Sequence, residues 1–362
     1  MAGVTRLCVT NLVQAVASVL TASSALAASP VTRLRDQLRS KTWRSAVGWT
    51  VVAGVNDKLD FSDGTTRAAT IAAGTYATGA LMAAALQTAM NAVSTTCVVS
   101  YSGATFKFTI SRTGTLSLLW SSGANATTNC GKDFGFSTAA DQTGSSSYTA
   151  PNVAYQSRQW LKADFGSALG VQAGIVINHN SGAGGTYTLQ GNASDAWTAP
   201  SLTQALAGDA TIRVAFLGSL QTFRWWRLLI EDVQNPLGYS EVGIWYAGPY
   251  VQPTVTYAAG FAKRWNELSE VSVGISGAHF QDERPRQAAW ALQWIEIPEA
   301  DRATMAAAFA LVPRGRNFFF AFDPVGTPTA TEYVYLDQGA GEDHTVGTYY
   351  TVPAPAMLQA MG

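Results

Sequence analysis

The sequence predicts a mainly β fold of the β-sandwich or jelly-roll kind, accompanied by an α+β module in its first half and an α+β segment at its C-terminus. Three observations carry that expectation. Between 155 and 250 many short apolar runs (QWLKADF, GIVINHN, TYTLQGN, TIRVAFL, FRWWRLLIED, EVGIWY) are separated by turn residues at short intervals, the spacing of an all-β sandwich. Clear helical stripes occur in two places, one within 51–150 among strand-like runs and one after Pro298. The length of 362 residues exceeds one ordinary domain and suggests two or three.

In chain order, Arg6 followed by LCVTNLVQAVASVLTASSALA imitates an export signal that ends in an Ala-x-Ala-like site at Ala25–Ala27. Asn11, Gln14 and Ser18 interrupt its apolar stretch, so the imitation is imperfect. A basic run follows at Arg33, Arg35, Arg39, Lys41 and Arg44, and reads first as a solvated face, with a subunit contact or an anion site as alternatives.

From 51 to 150 the composition shifts to Ala, Thr, Ser and Gly. Met82, Leu86, Ala89, Met90 and Val93 fall on one stripe of a helix beginning near Thr78. VVSYSGATFKFTI at 98–110 predicts a hairpin about a Ser-Gly turn, and LSLLW at 116–120 another strand. In the next region Phe223, Trp225, Arg227 and Leu229 alternate with Arg224, Trp226, Leu228 and Ile230. Large side chains on both faces predict a central strand with most of them in the core. The Gly-rich stretch Gly182–Gly185 lies between β runs and predicts a hairpin loop.

Charge density rises from 256. Ala289, Ala291, Gln293, Ile295 and Ile297 alternate with Trp290, Leu292, Trp294 and Glu296 as a strand. A helix is expected from Pro298, with Glu299 and Asp301 complementing its dipole and Met305, Ala308, Phe309 and Val312 as its buried stripe. NFFFAFDP predicts a buried strand stopped by Pro324, and EYVYL its successor.

Charged residues make up only 13%, about half of the roughly 25% usual in soluble domains, and the net charge is −1. No global field steers the chain onto nucleic acid, and no uninterrupted apolar run of membrane-spanning length occurs. A weakly charged surface near neutrality favours association. Cys8, Cys97 and Cys130 are read as small buried thiols, with a single Cys97–Cys130 bridge as the alternative. The sequence carries no P-loop, HExxH, GxSxG or kinase signature. His179, His279 and His344 have no second histidine at ligand spacing, and Asp57, Asp60 and Asp63 do not follow EF-hand spacing. Glu231 with Asp232, and Asp282 with Glu283, are sequence neighbours that a strand would point to opposite faces. The expectation is therefore a protein that is not an enzyme and holds no cofactor and no metal.

Three stretches carry a resemblance. SSALAASPVTRLRDQLRSKTWRSA together with QWLKADFGSALGVQAGIVINHN, TYTLQGN, FRWWRLLIED and EVGIWYAGP resembles a discoidin-type, galactose-binding-like jelly roll, through Trp43 and Ser45 and then Trp160, Asp164, Phe165 and Gly166. About 110 residues separate those two motifs here, which implies a module inserted into an early loop, where insertion costs little closure entropy. The stretch from IAAGTYATGALMAAALQTAMNAV to SSSYTA resembles a module common in bacteriophage tail and tail-fibre proteins. GAHFQDERPRQAAWALQWIEIPEADRATMAAAFALVPRGRNFFFAFDP is similar to a β domain of tailed-phage tail-tip proteins, including distal tail proteins.

The resemblance implies a discontinuous galactose-binding-like jelly roll at 1–50 plus 155–255, an inserted α+β phage-tail module at 51–154, and a C-terminal α+β, β-barrel-like tail-assembly domain at 256–362. It implies a minor tail protein of a tailed bacteriophage, made in the host cytoplasm and located in the virion at the tail tip or baseplate. Its expected partners are other tail proteins (tail tube, tail-tip hub, fibres) and copies of itself in a homo-oligomeric ring. The alternative is a host-attachment adhesin whose jelly roll binds a surface glycan, and a tail-borne hydrolase is the remote one. Sugar sites need aromatic platforms with a few converging polar groups. Asn178, His179, Asn180, Asn192 and Trp197 are the candidates for such a site, beside the plainer expectation of a jelly roll without ligand. Asp282, Glu283, Arg284 and Arg286, in the polar loop GAHFQDERPRQ, are the candidates for the charged rim of an assembly contact, against a merely solvated hairpin. Apolar surface on Trp290, Trp294, Met305, Phe309 and Phe318–Phe322 in excess of what the domain needs is expected to supply that contact.

Overall fold

The computed structural model describes residues 5–360 except 16, 46–47, 77, 153, 155–157, 183, 233–236, 238, 258–261, 274, 278, 338–342, 347–348 and 354–356. The protein is mainly β, built from several antiparallel sheets and two α-helices among the described residues.

Two long strands, Arg158–His179 and Ile212–Glu231, organise the sandwich. They pair antiparallel along their whole length, with register breaks between Asp164 and Leu169 and between Val171 and Ala173. Each strand thereby serves two layers. In the first layer 158–164 pairs with 225–231 and with Val19–Ala22, while Thr186–Asn192 adds to the far side of 225–231. In the second layer 173–179 pairs with 212–216 and with Glu241–Gly248, which in turn pairs with Trp43–Arg44. Asp164 and Gly166 make the corner: Asp164 accepts from the Gly166 N–H at 2.8 Å, and Gly166 takes φ +76°, a conformation glycine adopts without steric cost. Between the layers lie Trp43, Leu161, Ala163, Leu189, Trp226, Leu228, Ile230 and Trp245, all buried, as period-2 alternation requires of one sheet face.

The Gly182–Gly185 stretch is not a hairpin loop. It joins Arg158–His179 to Thr186–Asn192, and the strand Ile212–Glu231 lies between them in the sheet, so the loop is a crossover.

A separate core is drawn entirely from residues 49–154. The helix Gly79–Asn91 starts where Thr78 accepts from the Leu81 N–H at 3.2 Å, and buries Met82, Leu86, Ala89 and Met90 against strands that include Cys97–Ser102 and Lys107–Leu118. Trp49, Phe108 and Phe134 complete this core with tilted and edge-on contacts. A variant with 49–154 replaced by a short Gly-Ser linker is expected to keep a cooperative β-sheet unfolding transition. An aggregated product, with the excised 49–154 piece also unfolded, would contradict a self-contained insert.

The C-terminal part buries Trp290, Leu292, Trp294, Ile297, Met305, Phe309, Phe318 and Phe320 in its own core. The expected alternation of 289–297 fails at its end. Glu296 takes φ +56° and the register slips between Trp294 and Ile297, so Ile297 turns inward and Ile295 outward. Pro298 stands one position before the helix Glu299–Ala310 rather than inside it.

Two further differences follow from packing. Arg6–Cys8 pairs with Asn317–Ala321 and places Leu7 and Val9 in the C-terminal core, so the first residues are not part of the jelly roll. Val13 and Leu20 lie in the sandwich core, which makes the signal-like segment a structural element of the fold. The second jelly-roll layer is buried on both faces: Ile175, Ile177, Val214, Ile244 and Tyr246 pack outward against Cys8, Phe319, Tyr333 and Ala360. The apolar surplus expected to drive assembly is thus used within the chain. Four residues of the basic run have partners within the chain, Arg44 on Glu241 at 2.9 Å, Lys41 on Asp36 at 3.6 Å, Arg35 on the Ser18 carbonyl and Arg39 on the Ala360 carbonyl at 3.3 Å, while the Lys41 and Arg44 side chains stay partly solvated. All three cysteines are free and buried, and burial pushes the Cys8 thiol up to about 12.

Candidate functional site

The outward face of the first jelly-roll layer carries three cross-strand rows. Trp160, Leu229 and Thr188 form one, Lys162, Arg227 and Gln190 the next, and Asp164, Trp225 and Asn192 the third. Trp226, Leu228 and Ile230 fill the core on the opposite face, so their neighbours Trp225, Arg227 and Leu229 stand half-buried on this one. The core expectation for this strand holds for one face only.

A cleft of about 790 Å³ opens over the first two rows. Its floor is Trp160, Lys162, Gln190, Arg227 and Leu229, one wall is the loop bearing Trp197, Thr198 and Pro200, and the other wall is the insert, through Val52–Asn56 and Thr127–Thr128. A second cleft of about 440 Å³, lined by Val9, Tyr250, Ala307 and Leu311 among others, has no charged residue among its described lining.

Each wall is fixed by local chemistry. Asn192 ties the Trp197 loop at its base: its amide donates to the Ala196 carbonyl at 2.5 Å, and its side-chain oxygen accepts from Ser201 Oγ at 2.9 Å. The Trp197 indole N–H donates to Asp195 at 2.6 Å, and the Arg227 guanidinium lies 4.5 Å from the Trp197 ring centroid. Arg227 Nε donates to Gln190 Oε1 at 2.7 Å, and Lys162 pairs with Asp195 at 2.5 Å while sitting over Trp160 and Trp225. Burial alone would raise the Asp195 carboxyl, but the hydrogen bonds from Lys162 and Trp197 prevail and hold it below the ordinary range. On the insert side, Asn56 accepts from the Val52 N–H at 2.7 Å and donates to Asp133 at 2.7 Å, and Asp57 accepts from the Gly54 N–H at 3.0 Å. Asp60 accepts from the Asn125 backbone and side chain at 2.6 and 2.7 Å, which anchors the loop carrying Thr127 and Thr128. Asp63 is engaged elsewhere, with Ser94 and Arg67, so Asp57, Asp60 and Asp63 do not converge. The result is an aromatic and hydrogen-bonding concavity between two separately folded cores.

Of the five residues singled out as glycan-binding candidates, the structure brings two here: Trp197 lines the cleft and Asn192 holds its loop. The other three lie at the opposite end of the Arg158–His179 strand, away from this cleft, with Asn178 exposed. Asn178 takes φ +54°, a left-handed conformation that asparagine tolerates, and donates to the Arg39 carbonyl at 2.5 Å. Asn180 donates to the Tyr239 carbonyl and accepts from the Glu241 N–H at 2.8 Å. His179 is buried, with its ring centroid 5.1 Å from that of Tyr187. Sequence reading missed Trp160, Lys162, Gln190 and Arg227 as site residues. The signal was present in the alternation of 223–230, which sets an arginine between Trp225 and Leu229 on a single face.

Burial, followed by the charge of Arg213, lowers His179 to about 4. An unfolded histidine takes its proton near pH 6.5, so this group's contribution is complete above that pH and is lost as pH falls toward 4. The whole shift corresponds to on the order of 3 kcal/mol at most. A His179→Leu variant is expected to show a flatter stability profile between pH 6.5 and 4.5. An unchanged slope in denaturant midpoints would contradict the linkage.

The assembly candidates lie in and beside a small hairpin, Glu270–Val273 with His279–Asp282. They are exposed, and Arg284 pairs with Asp282 at 2.7 Å and with Glu270 at 3.4 Å, while Arg286 pairs with Glu267 at 2.8 Å.

Comparison of the sequence with protein-family models gives no match, and comparison with curated proteins gives none. Among solved structures, this chain is similar to a family 32 carbohydrate-binding module from C. perfringens NanJ in complex with galactose, at 9% identity over 67% of this chain and 98% of that one, with a TM-score of 0.30. It is similar to chitosan-binding module 1 of a chitosanase/glucanase from Paenibacillus sp. IK-5, at 13% identity over 66% and 99%, with a TM-score of 0.30. A third is CpGH89CBM32-5 from Clostridium perfringens in complex with GalNAc-β-1,3-galactose, at 7% identity over 66% and 100%, with a TM-score of 0.29.

Proposed function

We propose that this protein binds carbohydrate, without turnover, in the cleft between the jelly-roll sheet and the inserted module. The observation that carries the reading is the half-buried Trp197, braced by Asp195 and Arg227 across a sheet floor that presents Trp160, Lys162 and Gln190. An aromatic face offers the C–H surface of a sugar ring an apolar platform, and the surrounding donors and acceptors match its hydroxyls. Thr50, Thr127 and Thr128 line the cleft from the insert with hydroxyl-bearing side chains, so two modules contribute to one site. Isothermal titration of the intact chain with defined oligosaccharides, guided by a glycan array, tests this. No saturable binding to any of them removes the reading.

A second reading rests on a separate observation. Beside the hairpin 270–282, Trp265 is 60% exposed; Val271 and Val273 on the hairpin are 61% and 60% exposed, and Ile275 at its turn is fully exposed. Apolar side chains gathered on a projecting hairpin suit contact between subunits, with Asp282, Glu283, Arg284 and Arg286 at its edge. This supports contact with another copy of the same chain; the structural role as a tail-tip or baseplate subunit of a phage virion rests on the sequence resemblance alone. Val271→Lys with Val273→Lys is then expected to shift sedimentation from oligomer to monomer without loss of fold. Monomeric wild-type protein at high concentration would contradict it.

A further inference from the structure

We propose that the exposed hairpin of one copy docks in the second cleft of another copy, so that chains associate head to tail; the inference rests on the subunit-contact reading above and names the surface that receives the hairpin. The hairpin is incomplete by itself. Its strands Glu270–Val273 and His279–Asp282 pair only with each other among the described residues, and every residue of the first is exposed. A lone two-stranded hairpin is at best marginally stable in water, so the uncovered row of Val271, Val273 and Ile275 calls for a partner surface.

The second cleft offers a preformed apolar hollow. One wall is the helix Glu299–Ala310, which turns Met305 and Phe309 into the core and presents the short side chains Ala303, Thr304 and Ala307 to the cleft. Leu311, 49% exposed, continues that wall. The remaining lining includes Val9, Tyr250 and Val251, and a pair of backbone hydrogen bonds between Leu7 and Val251, each 2.9 Å, stiffens it. Within one chain the hairpin and the cleft do not meet, since Val271 and Val273 are 61% and 60% exposed and line no part of it. A second copy brings the two together.

Charge favours the same pairing. Residues 267–286 hold four carboxylates, Glu267, Glu270, Asp282 and Glu283, against two guanidiniums, Arg284 and Arg286. Beside the cleft, Arg6 lies 4.3 Å from the Tyr250 ring centroid and Arg316 donates to the Leu311 carbonyl at 2.8 Å; neither forms an ion pair among the described residues. On the helix, Glu299 pairs with Arg302, and Asp301 is buried and accepts from Thr254. An acidic hairpin therefore meets a basic rim, whereas hairpin against hairpin would oppose like charges. Because the two surfaces differ, the contact is heterologous, and it closes a ring where the rotation between copies permits.

The test is sedimentation velocity of the intact chain and two kinds of variant. Hairpin-blocked copies carry Val271→Lys with Val273→Lys. Cleft-blocked copies carry Ala307→Glu, at an exposed helix position where glutamate is a good helix former, and Ala303→Glu replaces it should that variant unfold. Each variant alone is expected to weaken self-association about tenfold or more, as loss of a central contact does. Mixed in equal amounts, the two kinds share one sound hairpin and one sound cleft, so a one-to-one pair forms and nothing larger. A mixture that stays monomeric, or a cleft-blocked variant that associates as wild type does, overturns the cleft as the receptor and leaves the hairpin contact standing. Wild-type protein that stays monomeric at high concentration overturns both.

Discussion

Replacing Phe319 by Ala is expected to lower the free energy of unfolding by about 3–5 kcal/mol. Its side chain is almost fully buried, with its ring centroid 4.7 Å from that of Tyr333 and 5.7 Å from that of Tyr246. Tyr246 belongs to the jelly roll and Tyr333 to the C-terminal sheet, so Phe319 lies in the seam that joins them. Its neighbours Phe318 and Phe320 point the other way into the C-terminal core. The loss is a large part of the roughly 5–15 kcal/mol by which domains are stable. Because the seam couples the two parts, the variant should also split one denaturant transition into two. A change below about 1 kcal/mol in a urea titration would show that the seam contributes little.

Trp197→Ala is expected to weaken oligosaccharide binding about 30-fold or more, since a central aromatic anchor contributes about 2 kcal/mol or more. The fold should be unaffected, because Trp197 is half-exposed on a loop closed by Asn192 and lies outside every buried cluster. Removing the indole also takes a donor from Asp195 and the stacking surface from Arg227, so the loss includes loosening of both. Calorimetry on wild type and variant at equal salt measures it. Binding reduced less than about threefold would exclude Trp197 as the platform.

Much of the fold was legible because periodicity reports burial directly. The stripe at Met82, Leu86, Ala89 and Met90 and the N-cap Thr78 define the insert helix, and the alternation at 223–230 gives the strand its two faces. Three things were not legible. Continuous apolar runs such as GIVIN and GIWYAG show burial on both faces but not what covers the second, and the C-terminal sheet covers it here. The bulge at Glu296 depends on a positive φ at a non-glycine residue, which no pattern signals. The cleft depends on loops 52–56 and 127–128 meeting a sheet face more than 30 residues further along the chain, a juxtaposition set by tertiary packing alone. Polar residues at a strand end, Asn178, His179 and Asn180, looked like ligand groups because composition cannot separate a hydrogen bond to sugar from one to backbone.

The most direct measurement is calorimetric titration of the intact chain and of the variant lacking 49–154, using one oligosaccharide that the intact chain binds. A site shared between the jelly-roll sheet and the insert predicts that the deletion variant, still folded by circular dichroism, loses at least about tenfold in affinity along with the wall at Val52–Asn56 and Thr127–Thr128. Undiminished affinity in the folded deletion variant would contradict the two-module site.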